Sequence, residues 1–77
     1  MNAADKKFLK SLGGRIKSIR EKEGISQVQL GYECEMHRTN INRIENGKID
    51  TGVLKIRSIA KALGVSVNDL LNFKVEE

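Results

Sequence analysis

Arg38, Thr39, Asn42, Arg43 and Asn46 recur at helical spacing, and each has the chemistry to read or grip a nucleic acid. At roughly 100° per residue they fall within about 140° of one another. Arg can donate two hydrogen bonds to guanine O6 and N7. Asn can pair with adenine N6 and N7, and Thr can bond a base or touch a thymine methyl. This face carries no acid, and Ile41 and Ile44 point the other way. The apolar side would hold the polar side rigidly. A solvated helix face has the same composition, so the face alone leaves both readings open.

Cys34 and His37 lie three positions apart, which invites metal binding, redox sensing or nucleophilic catalysis. None of these fits well. A zinc site needs a second pair of ligands, and a nucleophile needs an oriented base. Cys34 falls where a thiol behaves as a small hydrophobe. There is no plausible nucleophile, phosphate loop or pocket-sized domain, so we expect no enzyme, no cofactor, no metal and no catalytic residue. A single cysteine cannot form an internal disulfide, which points to a reducing, cytoplasmic setting.

The elements that must position the polar face are all helical. Leu9, Leu12, Ile16 and Ile19, with Phe8, mark one face of a first helix. Gly13 and Gly14 interrupt it and suggest a break between a loose N-terminal turn and the helix proper. Gly24 suits a left-handed end. Ser26 and Gln29 have capping-box spacing and open a short second helix that runs to about Cys34. A turn through Glu35 and Met36 leads to a third helix over residues 38–46, stopped by Gly47. A fourth helix turns Val53, Ile56, Ile59, Ala60 and Leu63 inward and ends at Gly64. Ser66 and Asp69 cap a fifth that ends near Phe73. We read residues 1–11 as an extension, helical or partly frayed, 12–73 as the domain and 74–77 as a frayed tail.

Fourteen Lys and Arg against ten Asp and Glu leave a net charge of +4 in 77 residues, which favours a polyanionic partner. No segment approaches the roughly 18 apolar residues of a membrane span, and the N-terminal lysines have no apolar run behind them. Lys6, Lys7, Lys10, Arg15 and Lys17 could line a membrane-surface helix, but its apolar stripe is needed as core.

A short capped helix, a tight turn and a second helix with this polar face form a helix-turn-helix. Ser26-Gln27, Leu30, Ile41, the run Arg43-Ile44-Glu45-Asn46-Gly47 and the segment 59–65 together resemble the phage-repressor-like (Xre/Cro type) helix-turn-helix family. The resemblance covers roughly residues 12–71. It implies an all-α, five-helix lambda-repressor-like fold that binds double-stranded DNA, in the bacterial or phage-derived setting of that family. It further implies that Arg38, Thr39, Asn42 and Arg43 contact bases, while Gln27, His37, Asn46 and Lys48 contact phosphates. Arg20 and Glu45 match the family's buried ion pair. Glu35 stands where the family's turn usually has Gly, His37 replaces the usual Ser or Thr cap, and Gly31 stands where Ala is common, either being small enough for close helix approach.

Two functions follow from the resemblance and the pattern. The first is a homodimeric transcriptional regulator, a repressor, on a pseudo-palindromic operator read through the major groove. Leu70, Leu71, Phe73 and Val75 are candidates for its dimer interface, against the plainer reading that they close the core. The second is an antitoxin-like module whose main partner is a protein, suggested by the same apolar C-terminal end. Tyr32 is expected at the rim.

Overall fold

A computed structural model describes residues 1–75. It contains α1 (Ala3–Lys22), α2 (Gln27–Glu33), α3 (Arg38–Glu45), α4 (Val53–Leu63) and α5 (Val67–Leu70), with no strand among the described residues. Of the tail 74–77, Glu76 and Glu77 lie outside that description.

Asn2 caps α1, its Oδ1 accepting from the Asp5 N–H at 2.8 Å. The helix then runs unbroken through Gly13 and Gly14, contrary to the expected break. The reason is tertiary. A Cβ on Gly13 would lie 2.2 Å from the carbonyl oxygen of Ile44, so α1 and α3 touch backbone to backbone there. Glycine serves close approach at this point, and packing outweighs its poor helix propensity. The N-terminal residues are helical from Ala3, and Leu9 is buried.

The core gathers Leu12, Ile16 and Ile19 of α1, Leu30 and Cys34, Ile41 and Ile44 of α3, Ile56, Ile59, Ala60 and Leu63 of α4, and Leu70 of α5. Each buried aliphatic side chain contributes about 1.5–3 kcal/mol by leaving water. Two expectations about facing fail. Val53 is 75% exposed, because the inward stripe of α4 begins only at Ile56. Leu70, offered as an interface residue, is 0% exposed; it is fully used by its own core and has no surface for another chain. Phe8 sits at the edge of the apolar stripe and stacks on Phe73, ring centroids 5.4 Å apart and tilted by 59°.

The ends of the helices follow local chemistry. Ser26 Oγ accepts from the Gln29 N–H at 3.0 Å, the first half of a capping box. Its reciprocal half, from the Gln29 side chain, is not made among the described residues. Ser66 and Asp69 form a full box at α5, which is shorter than expected and ends at Leu70. Gly24, Gly47 and Gly64 all take positive φ at helix C-termini.

Candidate nucleic-acid interface

The turn between α2 and α3 sets the angle at which α3 is presented. Glu35 occupies it with φ 54°, the one non-glycine residue of positive φ among the described residues. The left-handed conformation costs an L-residue about 1–2 kcal/mol. The Met36 N–H donates to the Gly31 carbonyl at 2.7 Å and closes the turn. At Gly31 the space is more exacting than expected. A Cβ there would stand 2.4 Å from the Met36 oxygen, so this chain has no room even for Ala.

His37 caps α3 through a ring nitrogen. Its Nδ1 accepts from the Thr39 N–H at 3.2 Å and lies 3.0 Å from Thr39 Oγ1. From this cap α3 runs for two turns with Ile41 and Ile44 buried. Arg38, Thr39, Asn42, Arg43 and Asn46 are all exposed, on the side away from the core. The guanidiniums of Arg38 and Arg43 have no ion pair or hydrogen bond among the described residues, which leaves their donors available to a ligand. Lys48 is exposed in the loop just after α3. The structure thus brings the expected base readers onto one surface, with His37 and Asn46 at the two ends of α3.

Arg20 and Glu45 anchor this surface. Arg20 Nε donates to Glu45 Oε2 at 2.6 Å and Arg20 Nη2 to Oε1 at 3.0 Å, while Nη1 donates to the Ile25 carbonyl at 2.8 Å. The fork-on-fork geometry ties α1 to α3 and fixes the α1–α2 connection as well. The hydrogen bond to Glu45 holds the Arg20 pKa up, against the opposing effect of burial. Removing one partner would strand a buried charge at a cost of about 3–5 kcal/mol.

Gln27 holds a relationship that sequence reasoning missed. It is half-buried, and its Nε2 donates to Glu45 Oε1 at 3.0 Å. Asn42 Nδ2 approaches Gln27 Oε1 at 3.5 Å, and Asn46 Nδ2 donates to Asn42 Oδ1 at 3.2 Å and to the Asn42 carbonyl at 2.9 Å. Nothing in the spacing of residues 27, 42 and 45 betrays this link, because it crosses from one helix to another.

Cys34 and His37, the pair considered for metal or redox chemistry, part company in the fold. Cys34 is buried at the end of α2, whereas His37 is exposed and engaged with Thr39. Burial pushes the Cys34 thiol pKa up; the Glu33 carboxylate adds to this and Lys55 opposes it. Tyr32 is 85% exposed.

The comparisons with known proteins agree with this geometry. The helix-turn-helix family HTH_3 matches residues 16–70. Control protein C.BamHI of Bacillus amyloliquefaciens is 44% identical over 62 residues, covering 79% of this chain and 76% of that protein. Among solved structures, the restriction-modification controller protein C.AhdI from Aeromonas hydrophila superposes with a TM-score of 0.77 at 25% identity, covering 82% of this chain and 94% of that one. The DNA-binding domain of the P22 c2 repressor gives a TM-score of 0.77 at 27% identity over 92% of this chain and 86% of that one. The match runs from within α1 to the end of α5 and includes both helices of the motif, so the chain belongs to the helix-turn-helix family HTH_3 and is a DNA-binding transcriptional regulator.

Proposed function

We propose that the chain is a controller protein of a restriction-modification system, acting in the cytoplasm as a homodimeric repressor on a pseudo-palindromic operator. The observation that carries this reading is the acid-free, exposed face of α3 on a chain 44% identical to a control protein of similar length. Each subunit lays α3 in the major groove, and the two half-sites lie about 34–36 Å apart. Arg38, Thr39, Asn42 and Arg43 meet base edges; Gln27, His37, Asn46 and Lys48 meet the backbone. The positive charge raises affinity for any duplex and makes it salt-dependent, while the α3 face supplies discrimination.

The dimer surface is drawn around Leu71, which is 43% exposed, with Phe73 and Val75 half-buried beside it in sequence. Val53 at the start of α4 is 75% exposed, lines the same depression as Leu71 and extends the apolar character of the surface. A chain this small gains stability by covering such side chains. Selection of duplexes from a random pool tests the reading. Recovery of a two-fold symmetric site supports it. No enrichment, together with a stoichiometric protein of different mass bound to the chain, would shift the function to an antitoxin-like module.

A further inference from the structure

The Glu45 carboxylate does more than pair with Arg20. It has only acceptors, so the part of Gln27 that faces it must be the NH2 group. Gln27 therefore turns its carbonyl oxygen, Oε1, toward Asn42. An oxygen can only accept, so Asn42 must present its own NH2 group in that direction. Asn42 Oδ1 is then turned to Asn46, whose Nδ2 donates to it. Each amide in this series would have two orientations in isolation, related by a half-turn of the terminal torsion. The buried carboxylate selects one from the Gln27 side, and the Asn42 backbone carbonyl, which accepts from Asn46 Nδ2 at 2.9 Å, favours the same one from the other.

We propose that Glu45, acting through Gln27, is a positioning residue that sets the hydrogen-bonding polarity of Asn42 and so selects adenine at the base Asn42 reads. The proposal rests on the DNA-binding reading above. After its internal bonds, Asn42 keeps one free N–H and one free lone pair on Oδ1. In the major groove, adenine offers an acceptor at N7 beside a donor at N6, whereas guanine offers two acceptors. An amide of fixed polarity meets the adenine edge in one sense only. An amide free to turn would accept the reversed donor–acceptor order, and discrimination would fall. The bond to Gln27 contributes about one neutral hydrogen bond to this choice, a bias of about three- to tenfold in base preference.

The test begins with duplex selection by the unaltered protein, which stands or falls with the DNA-binding reading alone. The operator position that loses its preference in Asn42→Ala is then the one to follow. Binding to all four base pairs at that position is measured for the unaltered protein, Gln27→Ala and Gln27→Lys. Lysine still donates to Glu45 and adds a charge that seeks phosphate, but it offers Asn42 no acceptor. The expected result is an A·T preference that falls about three- to tenfold in both variants, with the preferences assigned to Arg38 and Arg43 kept. Uniform weakening at every position would reduce Gln27 to a phosphate contact and overturn the proposal. So would an unchanged preference in Gln27→Lys, or a G·C pair at the Asn42 position. Thermal melting of each variant identifies any loss that comes from unfolding, and either variant alone decides the matter.

Discussion

Gly31 and Met36 meet so closely that the Met36 carbonyl oxygen fills the place where a Cβ on residue 31 would be, 2.4 Å away. Between them stands Glu35 at φ 54°. The two features belong together: the tight turn requires glycine at its first contact and tolerates a strained residue at its bend. Gly31→Ala should therefore destabilise the fold by about 1–3 kcal/mol through overpacking. Glu35→Gly should instead stabilise it by up to about 1 kcal/mol, since relief of left-handed strain exceeds the added freedom of the unfolded chain. Urea unfolding of both variants checks this; a neutral Gly31→Ala would mean that the turn yields.

The thiol of Cys34 gives a second prediction, in pH and reactivity. Its folded-state pKa is raised by burial, so the folded protein holds the proton more tightly than the unfolded chain. The resulting stability is fully present below the unfolded-state pKa and is lost as pH rises through the folded one. Alkylation at mildly alkaline pH should be slow and should accelerate in step with unfolding on added urea. Labelling as fast as that of a free thiol would show that the end of α2 opens locally.

How much of this was legible beforehand depends on how far each determinant lies along the chain. The helix-turn-helix core was readable, because the periodicity of Ile41 and Ile44 and the caps at Ser26 and Ser66 are local signals. Glycines 24, 47 and 64 were readable as helix ends for the same reason, and all three take positive φ. Gly13 misled, since its partner is the backbone at Ile44 and Glu45, on a different helix. Val53 was misjudged and Leu70 was left between core and interface, because hydrophobicity does not say where an inward stripe begins or which of two adjacent leucines faces the core. The link from Glu45 through Gln27 to Asn42 could not be read at all, because it depends on residues of different helices meeting across space.

The proposed reading of bases by α3 leads to a third prediction. Arg38 and Arg43 are exposed and carry no acidic partner among the described residues, so no internal bond must break before they engage DNA. Arg38→Ala and Arg43→Ala should each weaken operator binding by about 1–3 kcal/mol and relax one base position. Lys48→Ala should weaken all sequences alike and lower the slope of log affinity against log salt by about 1. Fluorescence anisotropy over a salt series on operator and scrambled duplexes separates the two classes. A uniform loss in Arg38→Ala would move that residue from base to phosphate.

The contrast between Leu70 and Leu71 yields the last prediction, since adjacent leucines of one short helix end are expected to fail in different ways. Leu70 is fully buried, and Leu70→Ala would leave a cavity in the core where α5 packs on α1 and α4, costing about 2–5 kcal/mol. The variant should melt early at any protein concentration. Leu71 is 43% exposed, so Leu71→Glu removes little from the core and places a charge on the proposed dimer surface. Burying that charge unpaired is strongly unfavourable, so the dimer should dissociate while the subunit keeps its helical signal. Sedimentation over a concentration range should show the shift to monomer. Operator affinity should fall with it, because each half-site would then be bound alone. A Leu71→Glu protein that remained dimeric would move the interface to another surface.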